Sequence, residues 1–270
     1  MSDDALMTTG GHLEVLRRML FRIVAAVVAI ACVIFWFKKE TFTLLLAPTH
    51  SSFCTFSAIE RWMASLGLDF RFDQYDISLI STELSSQFMT HLTVSGLLAM
   101  LLASPYILFE LFLFISPALY EREKKYSYLV AAIIYLLFAV GLLMSYFVLF
   151  PVSFHFLATY QVDESVVSTI TLDSYISTFT TLTFVMGVVF QLPVICFVLG
   201  KMEIIDASIM GQYRAYAFIL IMIIAAIITP PDIFTLVLVS IPIYGLYEIS
   251  ILVLKKWGPK PEQSYSSEVM

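Results

Sequence analysis

Charged residues are scarce in this sequence. Only 13% of its 270 residues are charged and 60% are hydrophobic, with a mean hydropathy of +0.90. A soluble domain is roughly half apolar and about a quarter charged, and a water-soluble fold of this length cannot bury so much apolar surface. The composition therefore excludes a soluble globular protein and indicates a chain that folds in lipid.

Motifs for catalysis, metal binding and nucleic-acid binding are also missing. The three cysteines, Cys32, Cys54 and Cys196, are far apart and odd in number, so they predict neither a disulfide framework nor a metal site. The sequence contains no GxSxG elbow, no HExxH pair and no phosphate-binding glycine loop. With a net charge of −6 and no basic tract, it does not resemble a nucleic-acid-binding protein either. We therefore expect no enzyme active site, no cofactor and no metal.

Long apolar runs fill most of the chain. A helix needs about 20 apolar residues to cross a hydrocarbon core of about 30 Å. The sequence predicts six crossings, at 20–37, 88–115, 126–150, 175–199, 210–228 and 233–254. The fold class predicted is an all-α polytopic membrane protein with one domain, 1–255, and a disordered cytoplasmic tail, 256–270.

The last two spans differ from the others. The fifth is short, the sixth is interrupted by Pro242, and a Thr-Pro-Pro-Asp turn at 229–232 separates them. Short helices thin the bilayer locally or pack against protein. We therefore expect helices five and six to be short and to offer a docking surface.

Basic residues predict the orientation. Most of the 15 lysines and arginines lie before span one, after spans two and four, and after span six. Because positive residues favour the cytoplasmic side, both termini are predicted to be cytoplasmic. The long outer loop, 38–85, becomes a periplasmic cap with one amphipathic helix, capped by Ser57 and Glu60 and closed by Gly67. Asp173 is predicted to cap span four.

Few ionisable or amide side chains lie inside the spans, where a charge costs about 2.5–3.5 kcal/mol. Apart from residues near the ends of spans one and five, they are His91 and Glu110 in span two, Gln191 in span four and Glu248 in span six. The plainest interpretation is pairing or hydration near the interfaces, and an interhelical hydrogen bond for Gln191. An alternative function is a proton-coupled small-solute carrier using Glu110, Glu248 and His91, although the chain has no internal repeat of the kind common in carriers.

Several short motifs follow one another in a characteristic order along the chain. They are His12-Leu13, Leu16-Arg17, Ala47-Pro48, Ser104-Pro105, Phe114 to Tyr120 (Phe-Ile-Ser-Pro-Ala-Leu-Tyr), Glu123, Phe150-Pro151, Gln191-Leu192-Pro193, Thr229 to Asp232, Ile241-Pro242 and Glu248. With this order and topology the sequence resembles TatC, the multi-spanning subunit of the twin-arginine protein translocase. The resemblance implies a glove-shaped bundle of six helices in the bacterial inner membrane. It also implies a non-catalytic receptor for the twin-arginine signal peptides of folded precursors. Its partners would be TatA- and TatB-like single-span proteins and further TatC copies, with export driven by the proton-motive force.

The resemblance also assigns roles to residues. Glu123 occupies the position of the signal-binding glutamate, and the same cytoplasmic surface would include Glu14, Arg17, Phe114, Leu119 and Tyr120. Carboxylates suit this task because they accept bidentate hydrogen bonds from guanidinium groups. Polar residues facing partner helices would be Gln191, Thr229, Asp232 and Glu248. Structural prolines would be Pro48, Pro105, Pro117, Pro230 and Pro231.

Three positions depart from the family pattern. Val15 stands where the family usually has a glutamate, with Glu14 one place earlier. Met19 stands where relatives have an arginine. Gln191 is neutral where relatives often have a glutamate.

Overall fold

Helices account for nearly all of the secondary structure. The computed structural model describes residues 9–68, 72, 77–115, 127–161, 163 and 169–257, so the predicted tail beyond residue 257 lies outside the described residues. The helices are α1 (Thr9–Trp36), α2 (Lys38–Leu46), α3 (Cys54–Ser65), α4 (Ser86–Ile115), α5 (Ser127–Met144), α6 (Phe150–Thr159), α7 (Leu172–Val189), α8 (Leu192–Lys201), α9 (Ala207–Gln212), α10 (Arg214–Ile228) and α11 (Ile233–Trp257). A π-helical turn, Ser145–Leu149, joins α5 to α6 in one continuous rod.

Five of the described helices or helix pairs are long and apolar enough to cross a bilayer: α1, α4, α5 with α6, α7 with α8, and α11. The sixth, α10, is apolar but has only 15 residues, about 22 Å of helix. The expectation of a short fifth crossing is therefore confirmed. The sixth crossing was expected to be short as well, but α11 continues through Pro242 and reaches 25 residues.

Contacts between helix ends show how the chain runs. Arg22, in the first half of α1, pairs with Glu110 near the end of α4, whereas Phe35 at the end of α1 packs on Phe88 at the start of α4. The two helices are therefore antiparallel. The same alternation continues through the bundle, since the first half of α5 meets Gln191, just after α7, and the start of α10 meets the second half of α11.

This alternation sorts the helix ends onto two faces. One, here called the terminal face, carries the start of α1, the end of α4, the junction of α8 with α9 and the end of α11. The opposite one, here called the cap face, carries the described residues that connect α1 to α4 and α6 to α7, together with the turn at 229–232. The first and last described residues, Thr9 and Trp257, therefore lie on the same face of the bundle.

The hydrophobic core lies between α4, the α5–α6 rod, α7, α10 and α11. Its fully buried members include Phe150, Tyr175, Met186, Val239 and Ile243. No described residue of α1 belongs to this cluster. Instead α1 packs along α4, and only 11% of its most apolar stretch is buried, against 28–33% for the other long spans.

Two glycines bring α5 and α7 close together. A Cβ atom added to Gly141 would lie 2.7 Å from the Met186 carbonyl oxygen, and one added to Gly187 would lie 2.8 Å from the Phe138 ring. Small residues let helix backbones approach in this way inside membranes.

The cap is fixed to the bundle by hydrogen bonds to backbone carbonyl groups. The Tyr175 hydroxyl donates to the Leu45 carbonyl over 2.7 Å. Ile80 pairs with the strand-like segment before α7, donating to Ile170 (3.0 Å) and accepting from the Leu172 N–H (2.8 Å). The cap therefore packs as part of the bundle rather than as a separate domain.

The amphipathic helix predicted in the cap exists as α3, but its predicted capping box is wrong. The helix starts three residues before Ser57, with Phe53 at the N-cap, and Glu60 accepts a hydrogen bond from the Phe72 N–H instead. Tertiary packing explains the earlier start, because Phe56 is fully buried in the first turn. Gly67 follows the helix with φ of +80°, a conformation that glycine adopts without strain.

The predicted cap of span four is also wrong. Thr171 caps α7, accepting from the Ser174 N–H over 3.2 Å. The Asp173 carboxylate instead crosses to α4, where it accepts hydrogen bonds from the hydroxyls of Ser86 and Thr90, the latter over 2.9 Å. Asp173 therefore joins two helices at the cap face.

Candidate functional site

The first turns of α1 carry an exposed acidic group with basic neighbours. The Glu14 carboxylate lies 2.9 Å from the Arg17 guanidinium and 3.8 Å from that of Arg18. All three side chains are between 47% and 78% exposed. Exposed pairs one turn apart are worth only about 0.3–0.5 kcal/mol, so another guanidinium could displace these arginines at little cost.

A second ion pair joins α1 to α4 deeper in the bundle. The Arg22 guanidinium lies 3.0 Å from the Glu110 carboxylate, which also accepts a 2.8 Å hydrogen bond from the Tyr106 hydroxyl. The Glu110 side chain is only 7% exposed. The pair therefore satisfies a buried carboxylate, in agreement with the interpretation that Glu110 is paired near an interface.

Gln191 lies at the break between α7 and α8. Pro193 follows it and has no N–H to donate back to Val189, so the α-helical hydrogen bonding is interrupted here. The half-buried Gln191 side chain donates to the Ile134 carbonyl of α5 over 3.1 Å. The interhelical hydrogen bond expected for Gln191 is therefore present.

The turn between α10 and α11 contains buried polar atoms without partners. Asp232 caps α11 by accepting from the Thr235 N–H over 2.6 Å, and the Thr229 hydroxyl donates to the Ala225 carbonyl over 3.0 Å. The second carboxylate oxygen of Asp232 and the hydroxyl of Thr235 are buried and make no hydrogen bond to any described residue. Such atoms are rare in native proteins and call for an explanation.

Glu248 of α11 binds Arg214 at the start of α10, on the side of the terminal face. Its two oxygens accept from the Arg214 guanidinium over 2.7 and 3.0 Å, and the Tyr244 hydroxyl adds a 3.1 Å hydrogen bond. Both charged side chains are partly exposed, at 33% for Glu248 and 45% for Arg214. The geometry is that of a two-pronged structural ion pair rather than a free carboxylate.

Comparison with known proteins decides the family. The family model described as Sec-independent protein translocase protein (TatC) matches residues 11–242. Among relatives, TatC of Campylobacter jejuni is 30% identical over 95% of this chain and 97% of its own length. TatC of Halothiobacillus neapolitanus is 33% identical over 90% of this chain, which spans 61% of that relative's length. This chain belongs to the TatC family.

A solved structure of the TatC family confirms the fold. The crystal structure of a twin-arginine translocase receptor TatC superposes with a TM-score of 0.72 at 29% sequence identity, covering 91% of this chain and 98% of that one. The chain is therefore a multi-pass membrane protein and a subunit of the twin-arginine translocase. The TatC family is a family of non-enzymatic receptors with partners in the membrane.

The structure shows the surroundings of the positions at the start of α1 where this chain differs from the family pattern. Glu14 and Val15 are both exposed, Val15 by 42%, so moving the carboxylate back by one residue leaves it in solvent. Met19, by contrast, is only 2% exposed. An arginine at position 19 would therefore be buried, which explains the apolar residue there.

Part of the predicted signal-binding surface lies outside the described residues. This holds for Pro117, Leu119, Tyr120 and Glu123, while Phe114 lies in α4 without a described side chain. The described residues that flank this segment, Ile115 and Ser127, belong to the terminal face.

The three residues of the carrier alternative are not brought together. His91 and Glu110 lie 19 positions apart on α4, about 28 Å along the helix axis. Glu248 belongs to the α10–α11 pair and is bound to Arg214. We find no path lined by all three in the described residues.

Proposed function

We propose that this chain is the signal-peptide receptor of a twin-arginine translocase in the bacterial inner membrane, with the terminal face in the cytoplasm. Family membership supports this role. The observation that carries it is the exposed Glu14 carboxylate on the face to which the Glu123 segment attaches. Export by the assembled translocase would draw on the proton-motive force.

The chemistry of recognition follows from the pairing of Glu14. Its carboxylate already holds guanidinium groups, but in weak exposed pairs with residues of its own helix. An incoming arginine pair brings two planar guanidinium groups that can each bind a carboxylate through two hydrogen bonds. With Glu123 as the main acceptor, Glu14 would hold the second arginine, and Arg17 and Arg18 would turn to solvent.

Crosslinking tests this assignment. A photoreactive residue at position 123 or 14 should capture a signal peptide with Arg-Arg, and capture should fall several-fold when Lys-Lys replaces it, because lysine lacks the planar fork. Glu123→Gln and Glu14→Gln should weaken capture by a probe at a neighbouring position. Glu203→Gln, which removes another exposed acid from the same face, is the matched control and should have no effect. Equal capture of both peptides, or an equal loss in the control, would refute the proposed site.

We further propose that α10 and the 229–232 turn receive single-span partners of the TatA and TatB type. Only Ile221 and Ala225 of α10 are buried, whereas Ile219, Ile223 and Ile227 are 57%, 52% and 80% exposed. A partner helix packed there would cover this apolar face. A donor from that helix would also satisfy the unpaired oxygens of the turn, and further TatC copies could extend the assembly.

Cysteine crosslinking tests this second surface. Ile227→Cys should form a disulfide with cysteines scanned along a single-span partner, whereas Ile195→Cys on α8, which is 48% exposed in the native chain, should not. Crosslinking of both positions at similar yield would show non-specific contact and contradict the docking surface.

A further inference from the structure

A polar pocket lies at the cap face, between the start of α2 and the start of α4, away from the surfaces discussed above. It is open, has a volume of about 530 Å³, and is lined by Lys38, Glu83, Gln87, Phe88 and His91 among others. None of these residues takes part in the proposed recognition of signal peptides or partner helices.

His91 supplies a buried polar atom without a partner. Its side chain is only 6% exposed, and its ring stacks on Phe35 with centroids 4.0 Å apart and planes 12° apart. Phe42 meets the ring edge-on at 5.7 Å, and the Phe35 carbonyl accepts a hydrogen bond from the imidazole. The remaining nitrogen, Nε2, is buried and bonded to no described residue. Because the other ring nitrogen donates to the Phe35 carbonyl, Nε2 is a hydrogen-bond acceptor, and a donor bound in the pocket that His91 lines would satisfy it.

The pocket carries one charge of each sign. Lys38 and Glu83 both line it, and neither forms an ion pair with a described residue. Lys38 and His91 line the same pocket. An anion beside Lys38 would be stabilised by the ammonium, while Glu83 would repel a purely anionic ligand, and Glu83 and the unprotonated Nε2 of His91 would accept hydrogen bonds from an attached cation.

Apolar side chains lead from the pocket along α4. Leu84 at its rim is fully exposed, and Phe88 and Leu92, which lie one turn apart on α4, are 58% and 54% exposed. In a span these side chains face lipid, so they offer a surface for acyl chains directly below a site for a charged headgroup.

We propose that this pocket binds the headgroup of a zwitterionic phospholipid with a primary ammonium, that is, a phosphoethanolamine lipid of the leaflet at the cap face. Lys38 binds the phosphate, and Glu83 and Nε2 of His91 accept hydrogen bonds from the ammonium. The acyl chains lie along Phe88 and Leu92.

Native mass spectrometry of the purified full chain in detergent tests the proposal. The protein is mixed with equal amounts of phosphoethanolamine, phosphocholine and phosphoglycerol lipids that share the same acyl chains. Retention of the phosphoethanolamine lipid should exceed that of the other two by about tenfold, because the quaternary ammonium of phosphocholine cannot donate to Glu83 and phosphoglycerol lacks a cation. Equal retention of the three lipids would overturn the proposal.

Variants then assign the roles. Lys38→Gln and His91→Phe should each reduce retention of the phosphoethanolamine lipid several-fold, and the phenylalanine keeps the stack on Phe35, so the thermal midpoint checks that the fold persists. Glu83→Gln should remove the preference for phosphoethanolamine over phosphoglycerol. Lys39→Gln is the matched control, because Lys39 lines a different groove, and it should change nothing. An unchanged preference in Glu83→Gln, or a loss in Lys39→Gln equal to that in Lys38→Gln, would refute the assigned roles.

A competition experiment separates a lipid from a soluble headgroup. Water-soluble glycerophosphoethanolamine, added at the concentration of the lipid, should fail to displace it, because it cannot bury acyl chains beside Phe88. Displacement at equal concentration would overturn the lipid part of the proposal.

Discussion

Because α5 and α7 approach closely, we predict that alanine lowers the stability when it replaces a glycine in their contact and raises it when it replaces a helical glycine with free space around it. Alanine at Gly141 would place its Cβ 2.7 Å from the Met186 carbonyl oxygen and 2.9 Å from the Phe190 ring. Because the nearer atom belongs to the backbone, a helix must shift, and overpacking of this kind costs about 1–3 kcal/mol. At Gly96 and Gly245, which also lie inside helices, an added Cβ meets nothing within 4 Å.

Helix propensity gives the opposing contribution. Replacing glycine by alanine in a helix stabilises it by roughly 0.5–1 kcal/mol. Gly96→Ala and Gly245→Ala should therefore raise the stability by that amount, whereas Gly141→Ala should lose up to about 2 kcal/mol after the propensity gain is subtracted from the overpacking cost.

Thermal unfolding of the purified chain in detergent measures the difference. At roughly 2–4 °C per kcal/mol for a chain of this size, Gly141→Ala should melt several degrees below the native chain, and the two controls slightly above it. If Gly141→Ala is as stable as Gly96→Ala, then α5 and α7 do not pack as closely as described.

Three further changes test the polar contacts. Arg22→Gln should destabilise the fold by about 1–3 kcal/mol because it leaves the Glu110 carboxylate buried without its cation, and adding Glu110→Gln should restore most of the loss in the same unfolding assay. Arg214→Lys should cost no more than about 1 kcal/mol, since the pair with Glu248 is partly exposed and keeps its charge; a larger loss would show that the two-pronged geometry itself is required. Asp232→Asn keeps an oxygen to cap α11 and should leave the thermal midpoint within a degree or two, while crosslinking to a single-span partner falls; an unchanged crosslinking yield would count against a partner at the unpaired oxygen.

Features set by local pattern were predictable from the sequence. Hydropathy located the spans, and the turn at 229–232 ended α10 because Pro230 and Pro231 cannot continue a helix. The amphipathic pattern in the cap located α3, although not its first residue. These features depend on neighbours in the chain, which the sequence displays directly.

Features set by contact between distant residues were not predictable in the same way. Arg22 and Glu110 are 88 positions apart, and nothing in their local sequence selects one as the partner of the other. Asp173 has the residue type of a helix cap, yet Thr171 already caps α7, and hydroxyls from α4 compete successfully for the carboxylate. In both cases tertiary packing decides between local choices of similar energy.

The attachment of α1 has a consequence for how the chain is built into the membrane. Because α1 packs along α4 and contributes nothing to the central cluster, it must wait in lipid until α4 emerges some fifty residues later. The helices that follow α4 then complete the central cluster without any contribution from α1. An N-terminal fragment that contains α1 and ends in the cap, expressed as a separate polypeptide, should therefore be able to bind along α4 of the remaining chain after both have been synthesised.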